Sequence, residues 1–201
     1  MRVGARRALL FAGGIVAPPF PYTLTLDNFN RANEGPPPSA SWTTPSSQGG
    51  LKVIGNACGS EVGFSGAAIW NTVFAANQEV QFKIGTVPVA GQHYTAVVRN
   101  QSATDWLNSY YAEFLNGTPA LVYVWKYTGI SELLIDGVEL GGTMVTGMAL
   151  GLRVVGSLLT VWRDGSQVTS VSDTSITGPG RLVVRVSHDP MTLDDLRGGA
   201  L

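Results

Sequence analysis

What most constrains this chain is its rhythm: short apolar runs, several alternating apolar with polar residues, cut by clusters of Gly, Asn, Asp and Pro. A period of two marks strands, because successive side chains leave a pleated strand on opposite faces. No stretch has the period of an amphipathic helix of three turns. Strands are expected at 22–26, 51–54, 66–70, 79–85, 93–100, 109–115, 121–127, 131–135, 148–155, 158–163, 167–172, 181–186 and 192–196. Tight hairpin turns are expected at Asp136-Gly137, Gly156-Ser157 and Asp164-Gly165, where the residue types accept the positive φ such turns need. The 25 glycines and 11 prolines among 201 residues suit a chain that turns this often. Strands without intervening helices predict an all-β fold, an antiparallel β-sandwich of jelly-roll type over 22–201. Residues 1–21 are expected to form an extended N-terminal arm.

Composition then removes several classes of function. Charged residues make up 13% and the net charge is −1, too little positive charge for a protein whose partner is nucleic acid. The single Cys58 excludes a disulfide framework and a Cys-rich metal site. Without a neighbouring cation it is expected to be a buried, inert thiol. The start, MRVGARRALLFAGGIVAPPFP, has the basic, apolar and small-residue order of a signal peptide. Its apolar run is too short to span a bilayer, so no membrane insertion is expected. An uncleaved arm is the preferred reading. Its apolar Leu9, Leu10, Phe11, Ile15 and Val16 follow no amphipathic pattern and are expected to be covered by a partner.

The middle strands hold the pattern that points to binding. Within 121–127, Leu121, Tyr123, Trp125 and Tyr127 share one parity, against Val122, Val124 and Lys126. In 109–115 the division is Tyr111, Glu113 and Leu115 against Tyr110, Ala112 and Phe114. In 93–100 it is His93, Thr95, Val97 and Arg99 against Tyr94, Ala96, Val98 and Asn100. If the small aliphatic sets line the core, the outer face presents Tyr123, Trp125, Tyr111, Glu113, His93 and Arg99. The 100–111 loop adds Asp105, Trp106 and Asn108 at the rim. Rings beside hydrogen-bonding charges suit a sugar, whose flat side stacks while its hydroxyls need donors and acceptors. Packing of this face against the arm or another subunit is the competing reading.

The stretch LDNFNRANEGPPPSASW (26–42) resembles the entry of concanavalin A-like (laminin-G-like) jelly rolls, with its D-x-F-x-R-A-N run ahead of Trp42. The run LLTVWRDGSQVTSVSDTSITGPGRLVVRV (158–186) and the ending LDDLRGGAL (193–201) resemble that family's late hairpin and closing strand. The resemblance implies that the first and last strands are neighbours, with Phe29 and Leu196 inward. Trp42 is expected to plug one end of the core, and Pro36, Pro37 and Pro38 to keep their segment out of the ladder.

The same fold carries glucanases, whose retaining chemistry needs two carboxylates about 5–5.5 Å apart. No two of the fourteen acidic residues here stand two positions apart, as one strand face would require. Asp194 and Asp195 are adjacent, and Glu132 and Asp136 are four apart; a pair drawn from different strands stays open. His93 and His188 lie in no triad-like setting, and GFSGA (63–67) falls short of a nucleophile elbow. Asp189, Asp194 and Asp195 could offer oxygens to Ca²⁺, but a solvated turn at Asp189-Pro190 is preferred. No enzyme, metal or cofactor is therefore expected.

Short proteins with the DNFNRAN opening are also similar to minor tail proteins of tailed phages of actinobacteria. That resemblance implies a non-enzymatic virion component, assembled in the host cytoplasm and located on the tail or particle surface. Its arm would bind other virion subunits, self-association is open, and a host glycan is the expected ligand. A capsid decoration protein without ligand and a secreted bacterial carbohydrate-binding module are the alternatives.

Overall fold

The computed structural model describes residues 20–60, 63 and 65–201. The expectations for the signal-like run and for Leu9, Leu10, Phe11, Ile15 and Val16 fall outside the described residues. In chain order the strands are β1 (Thr25–Asp27), β2 (Trp42–Thr43), β3 (Gly49–Ile54), β4 (Ala57–Ser60), β5 (Gly66–Trp70), β6 (Gln78–Ile84) and β7 (His93–Asn100). There follow β8 (Ser109–Leu115), β9 (Leu121–Tyr127), β10 (Glu132–Glu139), β11 (Ala149–Val155), β12 (Leu158–Arg163), β13 (Ser166–Ser172), β14 (Arg181–Val186) and β15 (Thr192–Ala200). Among the described residues there is no helix.

The strands form two layers. One runs β10-β9-β8-β7-β14-β5, with β2 pairing on β5. The other runs β4-β15-β6-β11-β12-β13. Strand β3 joins them, pairing parallel with β5 through Gly49 and Gly50 and antiparallel with β4 beyond. The first strand pairs with the last, Thr25 opposite Arg197 and Asp27 opposite Leu196. Phe29 and Leu196 are both wholly buried in the main core, so the first and last described strands close the sandwich together.

Alternation places the core. Tyr94, Ala96 and Val98, Tyr110, Ala112 and Phe114, and Val122 and Val124 meet Val80, Phe82, Leu150, Leu152 and Val161 from the facing layer. The opposite parity of the first layer forms a second cluster, with Val97, Trp106, Tyr111, Ala67, Ile69 and Val183. Two faces of one sheet are therefore both apolar at the centre. Cys58 is wholly buried, and burial pushes its thiol well up, which keeps it protonated and inert.

The opening motif is a structural knot. The Asp27 carboxylate accepts hydrogen bonds from the Phe29 amide at 2.9 Å, from both Arg31 Nη atoms at 2.6 and 3.0 Å, and from Trp42 Nε1 at 3.0 Å. Arg31 also donates to the carbonyl of Pro38 at 3.0 Å, so the prolines are tied down as a loop. Trp42 stacks near Phe29 and meets Trp70 edge-on at 5.0 Å, filling the end of the core.

The chain enters the domain on the outer face of the second layer. There Phe20 stacks on Trp162 with ring centroids 4.9 Å apart, and the Arg153 guanidinium lies against both rings. Buried Glu79 accepts from Arg153 at 2.6 Å and from the backbone amides of Tyr22 and Thr23. Phe20 fits because position 151 is glycine: a Cβ there would lie 2.4 Å from its ring.

Two local expectations were wrong. Asp136-Gly137 is not a hairpin turn. It lies inside β10 where the register slips, and the turn falls at 128–131, closed by Thr128 donating to the Ser131 carbonyl. The bulge marks a sheet edge, where a local break in the ladder discourages further pairing. Strands β2 and β4 were also missed. The β3–β4 hairpin turns on Gly55 and Asn56, both at positive φ (58° and 63°). The Asp164-Gly165 turn has the expected left-handed pair, with φ of 48° and 78°.

Candidate functional site

On the outer face of the first layer, β8 supplies Tyr111 and Glu113, β9 supplies Trp125 and Tyr127, and β14 supplies Arg185, all by alternation outward from the core. The 100–109 loop adds its residues through one side chain. Asn100 donates to the carbonyls of Ser102 and Asp105 and accepts the Leu107 amide. The loop thus folds on a buried amide and presents Trp106, whose Nε1 donates to Ser109 at 2.8 Å. Asp105 fastens a second loop by accepting from the hydroxyls of Ser46 and Ser47. Those hydrogen bonds, Ser47 foremost, hold its carboxyl below the usual range despite some burial.

These elements enclose a cavity of about 310 Å³ lined by Ser47, Gln48, Asp105, Trp106, Leu107, Tyr111, Glu113, Tyr127, Glu132 and Arg185. That is the lower end of the range for small-molecule pockets, roughly 300–1,000 Å³. Trp106 meets Tyr111 edge-on at 4.8 Å, and Tyr111 is stacked with Trp125 at 6.2 Å and 11°. Arg185 lies 5.9 Å from the Trp106 ring centre.

The polar groups are unevenly satisfied. Arg185 Nη1 is 2.6 Å from His93 Nε2, and that nitrogen is 3.8 Å from Glu113. Burial, with Arg185 and His188 nearby, lowers the His93 pKa to about 4, so near neutrality Nε2 accepts from Arg185. Burial and the neighbouring charge of Glu132 raise the Glu113 pKa against the pull of Arg185. Tyr111 hydrogen-bonds Glu132, and its hydroxyl is pushed well up, chiefly by burial. Among the described residues six buried side-chain atoms lack a hydrogen-bond partner: Gln48 Oε1 and Arg185 Nε belong to the cavity lining, Thr95 Oγ1 and Trp125 Nε1 to residues outside it on the same sheet, and Ser60 Oγ and Trp162 Nε1 to other parts of the fold. Buried polar atoms are rarely left so, and a ligand or ordered water is the usual reason.

Of the residues singled out from sequence, Tyr111, Glu113, Asp105 and Trp106 line the cavity, and His93 stands behind Glu113 and Arg185. Trp125 backs Tyr111, and Tyr123 packs on Trp125 at 6.3 Å, outside the cavity lining. Asn108 takes a left-handed φ of 50° in the loop and does not line the cavity. Arg99 is a correction. Val98 and Arg99 together oppose Leu182, and Arg99 has a left-handed φ of 54°, so the bulge turns its side chain inward. It is 1% exposed and donates to the carbonyls of Ala76, Gly156 and Ile176. Arg185, Glu132, Tyr127, Ser47 and Gln48 were missed. Tyr127 shares the parity of Trp125; the alternation of 181–186 puts Arg185 opposite its aliphatic neighbours and could have found it.

Among the described residues no group of three or more His, Cys, Asp or Glu is arranged to hold a metal ion. Asp195 instead pairs with Lys83 at 2.7 Å.

No protein-family model matches the sequence, and no curated protein is similar to it in sequence. Solved structures share its fold. A carbohydrate-binding module of family 66 from Bacillus subtilis superposes with a TM-score of 0.60 at 14% identity, over 80% of this chain and 92% of that one. The Bacillus licheniformis β-glucanase does so at 0.59 and 10%, over 87% and 96%. The lumenal domain of VIP36, bound to Ca²⁺ and mannose, does so at 0.59 and 13%, over 80% and 83%. The class is thereby defined: this chain is an all-β sandwich of the concanavalin A-like jelly-roll type.

Proposed function

We propose that the domain is a non-enzymatic glycan-binding module that seats a sugar in the cavity between Trp106, Tyr111 and Tyr127. The observation that carries this is one small cavity combining ring walls, Glu113, Glu132 and Arg185, and buried polar atoms still lacking partners. Similar folds support it by their names: one is a carbohydrate-binding module, and another was solved with mannose bound.

We further propose that it works as a surface or tail component of a phage virion. This rests on the likeness of the DNFNRAN opening, and it suits a chain that enters on the face opposite the cavity. Detection of the protein in purified particles tests it; absence from them overturns it.

The glycan reading is tested on a glycan array. The full chain is expected to bind a restricted set of sugars, and Tyr127→Ala to weaken that binding by about tenfold or more without changing the fold. Array binding that Tyr127→Ala leaves unaltered contradicts it.

One observation favours a hydrolase instead, the raised pKa of Glu113 beside a second carboxylate. Against it, β9 lies between the two strands, and the Glu132 carboxylate is taken up by the Tyr111 hydroxyl. The two glutamates are also offset along the sheet, Glu113 opposite Tyr123 and Glu132 opposite Tyr127. A retaining pair needs carboxyls about 5–5.5 Å apart. No new reducing ends are expected on incubation with any bound oligosaccharide; their appearance, lost in Glu113→Gln, would establish the hydrolase.

A further inference from the structure

The charges in the cavity do not balance, and the imbalance has one sign. Glu113 and Glu132 face a single guanidinium, that of Arg185. Asp105 joins them with only hydroxyl and amide donors, from Ser46, Ser47 and its neighbour's backbone. Among the described residues neither Lys nor a second Arg lines the space. Lys126, the nearest cation in sequence on β9, points to the other face of the sheet and pairs with Asp173 at 2.8 Å. His93 supplies no charge near neutrality. An anionic sugar would meet net repulsion here, while a cation would be drawn in and would meet ring faces that also favour it.

A second observation points to a bound group at the same place. Gln48 Oε1, on the cavity wall, is an unpartnered acceptor, and acceptors are what an ammonium group needs.

We infer that the cavity selects a sugar bearing a free ammonium group, a de-N-acetylated hexosamine, whose charge is drawn by the combined field of Glu113, Glu132 and Asp105 beside the aromatic walls. The inference rests on the glycan-binding reading and adds the charge class of the ligand. N-acetylation removes the charge on which that field acts.

The test is calorimetric titration of the full chain near pH 7 with the glucosamine tetrasaccharide and with its fully N-acetylated counterpart. The amine-bearing probe is expected to bind about tenfold more tightly. Glu113→Gln and Glu132→Gln, checked for folding by circular dichroism, are each expected to bring the ratio of the two affinities toward one. Equal or tighter binding of the N-acetylated probe by the unaltered protein overturns the inference, whatever the variants do. So does a ratio that survives both substitutions, or a lysine-rich peptide that matches the amino sugar. If array sugars bind but neither tetrasaccharide does, the ammonium preference falls and the glycan reading stands; a folded chain that binds no sugar removes both.

Discussion

The indole N–H of Trp42 donates to the carboxylate of Asp27 at 3.0 Å across fifteen residues of sequence, and this bond fixes the mouth of the core. Asp27 is 9% exposed and Trp42 3% exposed. Burial alone would raise the Asp27 pKa, but hydrogen bonds from Arg31, Trp42 and the Phe29 amide outweigh it and hold the carboxyl below its usual range. Asp27→Ala leaves the Trp42 and Phe29 donors and the Arg31 charge without their acceptor. The expected loss is about 3–5 kcal/mol by urea unfolding, against about 1–2 kcal/mol for Trp42→Phe. A cost for Asp27→Ala below that for Trp42→Phe would mean the carboxylate does not organise the knot.

Stability should fall as pH drops through the weakly acidic range because of His93. Its side chain is 18% exposed, and its pKa is about 4 in the fold against 6.5 unfolded. The unfolded chain takes up this proton first, so stability is full above about 6.5 and declines toward about 4, by up to roughly 3 kcal/mol. Glu113, facing His93 and Arg185, acts in the opposite sense: its raised pKa means the fold binds that proton first, offsetting part of the loss at the acid end. In His93→Gln the decline between pH 6.5 and 5 should disappear. Parallel pH profiles for the variant and the parent would show that His93 is not the group responsible.

The seat of Phe20 depends on an empty space. Gly151→Ala puts a methyl where the Phe20 ring lies, and the close β6 carbonyl of Val80 prevents the backbone from yielding. The variant is expected to release residues 20–23 from Glu79 and Arg153. Proteolysis should then cut near Tyr22 faster by about tenfold or more, and the clash with the Val80 carbonyl should also lower the stability of the core by about 1–3 kcal/mol. Unchanged cleavage would show that Phe20 is not held by this slot.

Much of the sheet was legible because its period is simple. Ala96, Val98, Ala112, Val122 and Val124 alternate cleanly, and their parity faces the core as read. The reading failed where one residue broke the period. Arg99 sits at a bulge in a left-handed conformation, and a single extra residue sends a side chain to the other face. A sequence shows no such slip, because Arg99 has neither the glycine nor the asparagine that commonly marks it. The misplaced turn at Asp136-Gly137 has the same origin: the dipeptide suits positive φ, but here Asp136 bonds across to Thr169 on β13 and fastens two sheet edges. The outward parity of Arg185 was readable, but its partner was not: only the neighbouring of β14, β7 and β8 brings Arg185 to Glu113.

The five tryptophans make the central claim directly measurable, since they divide by location. Trp106 lines the cavity and Trp125 backs it with an unpartnered indole nitrogen; Trp42 and Trp70 lie at the core mouth, and Trp162 lies on the opposite outer face under Phe20. The ¹⁵N–¹H spectrum of the full chain, titrated with the tightest-binding sugar from the array, should shift the indole signals of Trp106 and Trp125. Those of Trp42, Trp70 and Trp162 should stay in place. Shifts at Trp162 or at the Trp42–Trp70 pair, with Trp106 and Trp125 unmoved at saturation, would put the binding surface elsewhere and contradict the account.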